Sequence, residues 1–374
     1  MDMNPTQLPV KLLLNAESFG FGPTAAIADF FPYLRKSFQY IGFVGRGHSL
    51  DLQRSFEYDE IIDLSGREPS AFDAIVSEYD LFFTALHFDK AERAAALGIP
   101  TIIYDPLTWF WPEIPPVVAR KEVLYLAQGF HGVKKLIQDK EKKFGQPLVV
   151  PPLIKRVARE SCPTILLLNL GGLINPFWSI QTCCDYAIAM IRAVKEVADP
   201  SLELRILCSS QVVRLIPDEG IQTFSREEVK TLLPQVRIAI QTPGLANIYD
   251  AAAHDLPTLF LPPANDSQGQ QLDLLRDHDQ VDACIDWDEL PCGKKIRYRG
   301  EQKNVLEQIG YQVEHLACPE TARCLSVLIR DALEELTGDS PLRLPTLLDR
   351  FGEGGAEQVA NFVEAKAQKE LIYV

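Results

Sequence analysis

The chain has 374 residues, 47% of them hydrophobic and 24% charged, the balance of a globular protein with enough length for two cores. Its 51 acidic residues against 37 basic ones give a formal net charge of −14, which argues against nucleic acid and against an anionic membrane surface as partners. No apolar run reaches the roughly 18 residues of a membrane span, the first residues lack a signal-peptide layout, and the eight cysteines form no C-x-x-C. A cytoplasmic protein with free thiols and no bound metal is therefore expected.

Residues 10–16, VKLLLNA, read as the first strand. The stretch after it, 15-NAESFGFGPTAAIADF-30, contains Gly20-x-Gly22-x-x-Ala25, the pattern of a dinucleotide-binding turn. In that motif the strand runs straight into the first glycine, and an acid for the ribose follows the second strand. Here residues 16–20 extend past the strand, and the second strand, 39–45, ends in Gly45-Arg46. Arg46 read as a selector for a 2′-phosphate keeps an NADP-dependent oxidoreductase as an alternative. The plainer reading is a tight turn into a helix over 24–36, with Pro23 in its first turn.

Further strands are expected at 60–64, 80–86, 100–105 and 122–128, with a helix at 89–98. Each strand is a short, nearly continuous apolar run, as in a parallel sheet buried on both faces. The loop 104-YDPLTWFWPEIPP-116 places Trp109, Phe110 and Trp111 between prolines, where rings either plug the loop or stack a flat ligand. Four prolines in 146–163 mark a domain junction. A second alternation follows, with strands at 164–170, 202–210, 221–225, 236–242, 257–262 and 281–287. Its helices are expected at 180–198, 226–234, 245–254, 268–277 and 319–338, and a last helix at 355–371. The fold class is α/β, two Rossmann-like doubly wound domains facing a cleft: 1–155, 156–340, and a C-terminal segment, 341–374, packing back on the first domain.

The segment 236-VRIAIQTPGLANIYDAAAHDLPTLFLPPANDSQGQQLDLL-275 carries the sharper signal. Gly244 opens a helix whose free N–H groups and dipole suit an anion such as a diphosphate. With Gly244-Leu245-Ala246-Asn247, then Pro257-x-x-x-x-Pro262, then Asn265-Asp266-Ser267-Gln268 and Gln270-Gln271, the chain resembles the GT-B glycosyltransferases, in particular their MurG-like and UDP-glycosyltransferase-like branch. The stretches 168-LNLGGLINPFW-178 and 221-IQTFSREEVKTLLPQVRIAI-240 extend the likeness over about 164–285. A narrower likeness, to the cytosylglucuronate-synthase-like group, lies in the F-G-x-G turn and the L-P-P-x-N-x-S-Q loop.

The resemblance implies a metal-independent transfer of sugar from a nucleotide-diphosphate sugar, UDP-linked, to a small soluble acceptor, with no cofactor. It implies that Gly172, Gly244, Ala246 and Asn247 meet the diphosphate, that Phe224 and Ser225 meet the base through their backbone, and that Asp266, Gln268 and Gln271 meet sugar hydroxyls. A proton acceptor is then needed at the first domain's strand ends. Glu17, His87 and Asp105 are the candidates, in that order, with Gly20, Gly22, Trp109 and Trp111 on the acceptor side. The chain departs from the family in having Gln241-Thr242-Pro243 where a basic residue is common, and Pro23-Thr24 where a histidine is common. A nucleotide-sugar hydrolase of the same fold is a further alternative, and a homodimer is left open.

Overall fold

The computed structural model describes residues 7–18, 20–173, 177–216, 220–291, 293–338 and 340–372. The chain divides into two units, one of residues 1–155 with 351–374 and one of residues 156–350.

The first unit is built on strands β1 (Leu8–Ala16), β2 (Phe38–Gly45), β3 (Glu60–Asp63), β4 (Leu81–Ala85), β5 (Thr101–Asp105), β6 (Val123–Gln128) and β7 (Gln146–Val150). Every pairing is parallel, in the order β3-β2-β1-β4-β5-β6-β7. Helices α1 (Gly22–Ser37), α2 (His48–Gln53), α3 (Pro69–Val76), α4 (Phe88–Ala96) and α5 (Val133–Asp139) connect them. β4, β5 and β6 are buried at every position, as strands covered on both faces must be. β7 lies inside the stretch read from sequence as a domain junction. It is an edge strand of alternating exposure, so Pro147 removes no needed ladder bond and the segment looks like loop in sequence.

The second unit holds β8 (Ile165–Asn169), β9 (Glu203–Leu207), β10 (Ile221–Gln222), β11 (Val236–Gln241), β12 (Thr258–Phe260) and β13 (Ala283–Cys284). This sheet is also parallel, in the order β10-β9-β8-β11-β12-β13. Its helices are α6 (Ile180–Val197), α7 (Ser210–Val213), α8 (Arg226–Leu232), α9 (Leu245–Ala253), α10 (Asp266–Asp277), α11 (Gln302–His315), α12 (Pro319–Leu336) and α13 (Thr346–Phe351). α11 has no counterpart among the helices expected from sequence. Its buried Val305, Leu306, Ile309 and Val313 follow helical spacing, but Gly310 and the polar residues between them obscure the pattern.

The last helix, α14 (Gly355–Ile372), belongs to the first unit, where Val359 and Val363 join the core of β1 and α1. No helix among the described residues is long and apolar enough to cross a membrane.

Candidate active site

In a doubly wound sheet, ligands bind at the C-terminal strand ends where the strand order reverses. In the first unit that point lies between β1 and β4. Just before it, the buried Asn15 ties three strands together. Its amide donates to Val44 O at 2.6 Å and its oxygen accepts from Thr84 Oγ1 at 2.9 Å. Glu17 N then donates to Ala85 O at 2.9 Å, which holds the two outgoing loops side by side. Leu86, with φ of 65°, turns the chain sharply out of β4, a costly conformation for a branched side chain that the neighbouring contacts must sustain.

These turns bring together two of the three acid–base candidates. His87 Nδ1 lies 3.4 Å from Glu17 Oε2, with the side chains 13% and 28% exposed. The contact lacks hydrogen-bond geometry and Nδ1 has no partner among the described residues. Burial pushes the His87 imidazole down to about 3, and the charges of Lys90 and Arg46 add to the effect, so the ring is neutral at pH 7. The other Glu17 oxygen accepts from Ser18 N at 2.7 Å.

The third candidate has a different environment. Asp105 is wholly buried, and burial raises its carboxyl to about 6. One oxygen accepts from Leu107 N at 2.6 Å, the other from Trp111 Nε1 at 2.8 Å and from the Tyr125 hydroxyl. Asp105 thus anchors the aromatic loop. Within that loop Trp109 points inward against Phe130, ring centroids 5.5 Å apart, and Trp111 is half-buried, edge-on to Phe88. Trp109 therefore plugs the loop, while Trp111 keeps part of its ring exposed.

Gly20 has φ of 65°, and the space where a side chain would stand at Gly20 and Gly22 is open. α1 starts at Gly22, beyond a loop that leaves β1 at Ala16, so the strand does not run into the glycines as a dinucleotide turn requires. Arg46 Nε meets Ser18 Oγ at 3.3 Å, and His48 Nε2 meets Gly20 O at 2.7 Å.

In the second unit the order reverses between β8 and β11. An amide network joins the two glycine turns there. Asn169 Oδ1 accepts from Gly171 N at 3.0 Å, and Asn169 Nδ2 donates to Asn247 Oδ1 at 3.2 Å. Asn247 Nδ2 donates to Thr242 O at 3.2 Å. Gly171 has φ of 62°, and a Cβ there would stand 3.4 Å from Thr242 Oγ1. A larger residue would strain both the backbone and this contact. The N-cap of α9 is Gly244, which offers no side-chain cap, and the first turn carries no acid. The N–H groups of Leu245, Ala246 and Asn247 meet no acceptor among the described residues.

Three buried side-chain atoms, one just after β11 and two on α10, have no partner among the described residues: Thr242 Oγ1, Asp266 Oδ1 and Gln271 Oε1. Asp266 is 2% exposed, with Oδ2 held by Gln302 Nε2 at 3.1 Å, and burial raises its carboxyl. Gln268 is turned inward, its Oε1 accepting from Ala264 N at 2.8 Å. Ser225 caps α8, with its N–H and hydroxyl on Glu228 and its carbonyl on Val229, while Phe224 beside it is half-buried. Two buried aromatics clamp the loop after β12, Tyr186 donating to Pro262 O at 2.7 Å and Trp287 to Pro263 O at 2.9 Å. Tyr186→Phe orphans the Pro262 carbonyl and is expected to lower stability by about 1–3 kcal/mol. Chemical denaturation followed by circular dichroism checks it.

Asn169, Thr242 and Gln302 were not among the residues singled out from sequence. Their signal is faint. Leu-Leu-Leu-Asn recurs at or next to the end of both central strands, at 12–15 and 166–169, and that repeat marks the asparagines.

No protein-family model matches the chain, and no curated protein matches it. Solved structures do. Arabidopsis thaliana UGT89C1 complexed with UDP is 11% identical, with a TM-score of 0.54, over 96% of this chain and 99% of that one. A Polygonum tinctorium UDP-glucosyltransferase capable of glucosylating indoxyl is 14% identical, TM-score 0.52, over 97% and 99%. MurG of Acinetobacter baumannii is 12% identical, TM-score 0.51, over 96% and 100%. With two parallel sheets of matching strand order and a likeness that spans nearly the whole chain, the protein has the GT-B fold of MurG and the UDP-glycosyltransferases.

Proposed function

We propose that the protein is a glycosyltransferase that moves a sugar from a nucleotide-diphosphate sugar, UDP-linked, to a hydroxyl or ring nitrogen of a small soluble acceptor. The observation that carries the reading is the second unit's reversal point. There the open N-terminus of α9 has no acid in its own first turn and Thr242 Oγ1 is buried without a partner among the described residues, as are Asp266 Oδ1 and Gln271 Oε1 on α10, after the neighbouring strand β12. Such orphans are costly unless a ligand meets them. UDP is favoured because UGT89C1 and LpCGTa, two neighbours in fold, are complexed with it.

In this reading Gly172, Gly244, Ala246 and Asn247 receive the diphosphate, with Thr242 beneath. The α9 dipole and N–H groups stabilise the charge that gathers on the diphosphate as it leaves, so the chemistry runs without a bound metal. Asp266 and Gln271 take sugar hydroxyls, and the base lies toward Phe224. The acceptor's nucleophile bonds to the anomeric carbon, the bond from that carbon to the diphosphate breaks, and Glu17 takes the proton. His87 stays neutral beside it, while Trp111 and the open Gly20–Gly22 turn meet the acceptor. A flat heterocycle such as cytosine suits Trp111. The hydrolase and NADP readings draw no support from the neighbours.

Thermal stabilisation by UDP, GDP, CMP, dTDP and NADP tests the reading. A ligand at 100 times its dissociation constant adds about 2.7 kcal/mol. UDP is expected to give the largest shift. A shift with NADP alone would overturn the proposal, and release of free sugar at the same rate with and without acceptors would make the protein a hydrolase.

A further inference from the structure

α11 begins at Gln302, and the Gln302 amide Nε2 donates to Asp266 Oδ2 at 3.1 Å. The other carboxylate oxygen, Oδ1, is buried without a partner among the described residues. Asp266 is thus tied by one oxygen and left over by the other, in a side chain only 2% exposed. A buried carboxylate is costly unless its lone pairs are met. Gln268, the amide that the sequence offers for a sugar, is by contrast spent on Ala264 N at 2.8 Å.

The tie is held from several sides. The segment that leads into α11 is fastened to α10. The Tyr298 ring lies against Gly269, where any Cβ would collide with it. Gln270 Nε2 donates to Tyr298 O at 3.0 Å, and the Tyr298 hydroxyl donates to Asp286 Oδ1 at 2.7 Å. One turn along α11, Leu306 O accepts from Trp178 Nε1 at 3.3 Å. Gln302 is therefore carried by a fixed helix end rather than by a free loop, which is what a precise contact requires.

We propose that Gln302 is a positioning residue of the donor site, whose amide fixes the Asp266 carboxylate so that Oδ1 faces a hydroxyl of the transferred sugar. The proposal rests on the reading of Asp266 as a sugar contact. The torsion that turns a carboxylate about its own axis is broad, so an untied group spreads its accepting lone pairs over many directions. A donor on Oδ2 holds the plane of the group, and the bond is strengthened by the charge it meets. Oδ1 then keeps one direction, and a sugar hydroxyl that donates along it gains a hydrogen bond without first ordering its partner.

The experiment uses Gln302→Glu, which keeps the size of the side chain and replaces its donor with a second carboxylate. A residue that only served α11 would accept this change, because the first turn of a helix favours an acid and this one carries none. The proposal expects the reverse, a Tm at pH 7 below the parent's, since two carboxylates are then in contact. Ligand binding is read by thermal stabilisation with UDP and with a UDP-sugar. The sugar used is whichever of UDP-glucose, UDP-galactose, UDP-N-acetylglucosamine and UDP-glucuronate stabilises the parent most beyond UDP. Gln302→Glu is expected to weaken that UDP-sugar by about 10- to 100-fold and to leave UDP at the parent's level. Adding Asp266→Asn to Gln302→Glu supplies the rescue. The new amide donates to the new carboxylate, its oxygen takes the place of Oδ1, and Tm and UDP-sugar binding are both expected to recover. A Gln302→Glu protein that binds the UDP-sugar as the parent does overturns the proposal. So does a loss that Asp266→Asn leaves in place, or a parent that binds UDP and gains nothing from any of the sugars. A Tm that falls and recovers in a protein stabilised by none of these ligands upholds the Gln302–Asp266 tie and sinks the glycosyltransferase reading instead. If Gln302→Glu does not fold, Gln302→Met removes the donor without adding charge, and the same ligand comparison decides.

Discussion

Glu17→Gln is expected to slow UDP release from UDP-glucose by about 10²- to 10⁴-fold, the range for loss of a positioned general base. UDP binding, followed by thermal stabilisation, is expected to remain at the parent's level, because the groups proposed to hold the donor belong to the other unit. The substitution keeps the shape of the side chain and an oxygen for Ser18 N, which Glu17 holds at 2.7 Å. It removes only the charge and the ability to take a proton. Glu17 is preferred over its neighbours on geometry. Asp105 has no exposed surface, and its oxygens are filled by Leu107, Trp111 and Tyr125. His87 is the less exposed partner of the pair and, with its affinity for a proton pushed down to about 3, a weak base. Unchanged turnover in Glu17→Gln would move the role to His87, and His87→Gln would then carry the loss.

The strands were largely legible because each parallel strand is a short run of Val, Ile, Leu or Phe bounded by turn residues. Both reversal points were legible too, since glycines cluster there. What the sequence did not display is what depends on the direction of a side chain. Asp105 and Glu17 both sit at a strand's end, yet one is buried and anchors a loop while the other is partly exposed in its turn. Ser225 looked available and is consumed as a helix cap, because Glu228 three residues on completes a capping box. The glycine turn at 20–22 has the letters of a dinucleotide site without its geometry, and letters alone could not tell the two apart.

Trp287→Ala is expected to have the largest effect on stability. The indole is 1% exposed in the core of the second unit, its ring centroid 6.2 Å from that of Tyr186. Truncating a buried Trp costs about 3–5 kcal/mol through lost burial and the cavity left behind. Loss of the indole N–H orphans Pro263 O and adds about 1–3 kcal/mol. Against a typical stability of about 5–15 kcal/mol, that is enough to bring the second unit near its unfolding threshold. On the proposed reading the damage reaches the donor site by a definite route. Pro262 and Pro263 are held from beneath by Tyr186 and Trp287, and the chain leaves that turn directly into Asn265, Asp266 and the first turn of α10. Trp287→Phe separates the two effects. It keeps most of the apolar volume, so it is expected to lose only the hydrogen-bond share, yet it still frees the turn and weakens UDP binding. Denaturant unfolding of both variants, read by circular dichroism alongside UDP stabilisation, decides the matter. A Trp287→Phe protein that binds UDP as the parent does would show that the turn is held without the indole.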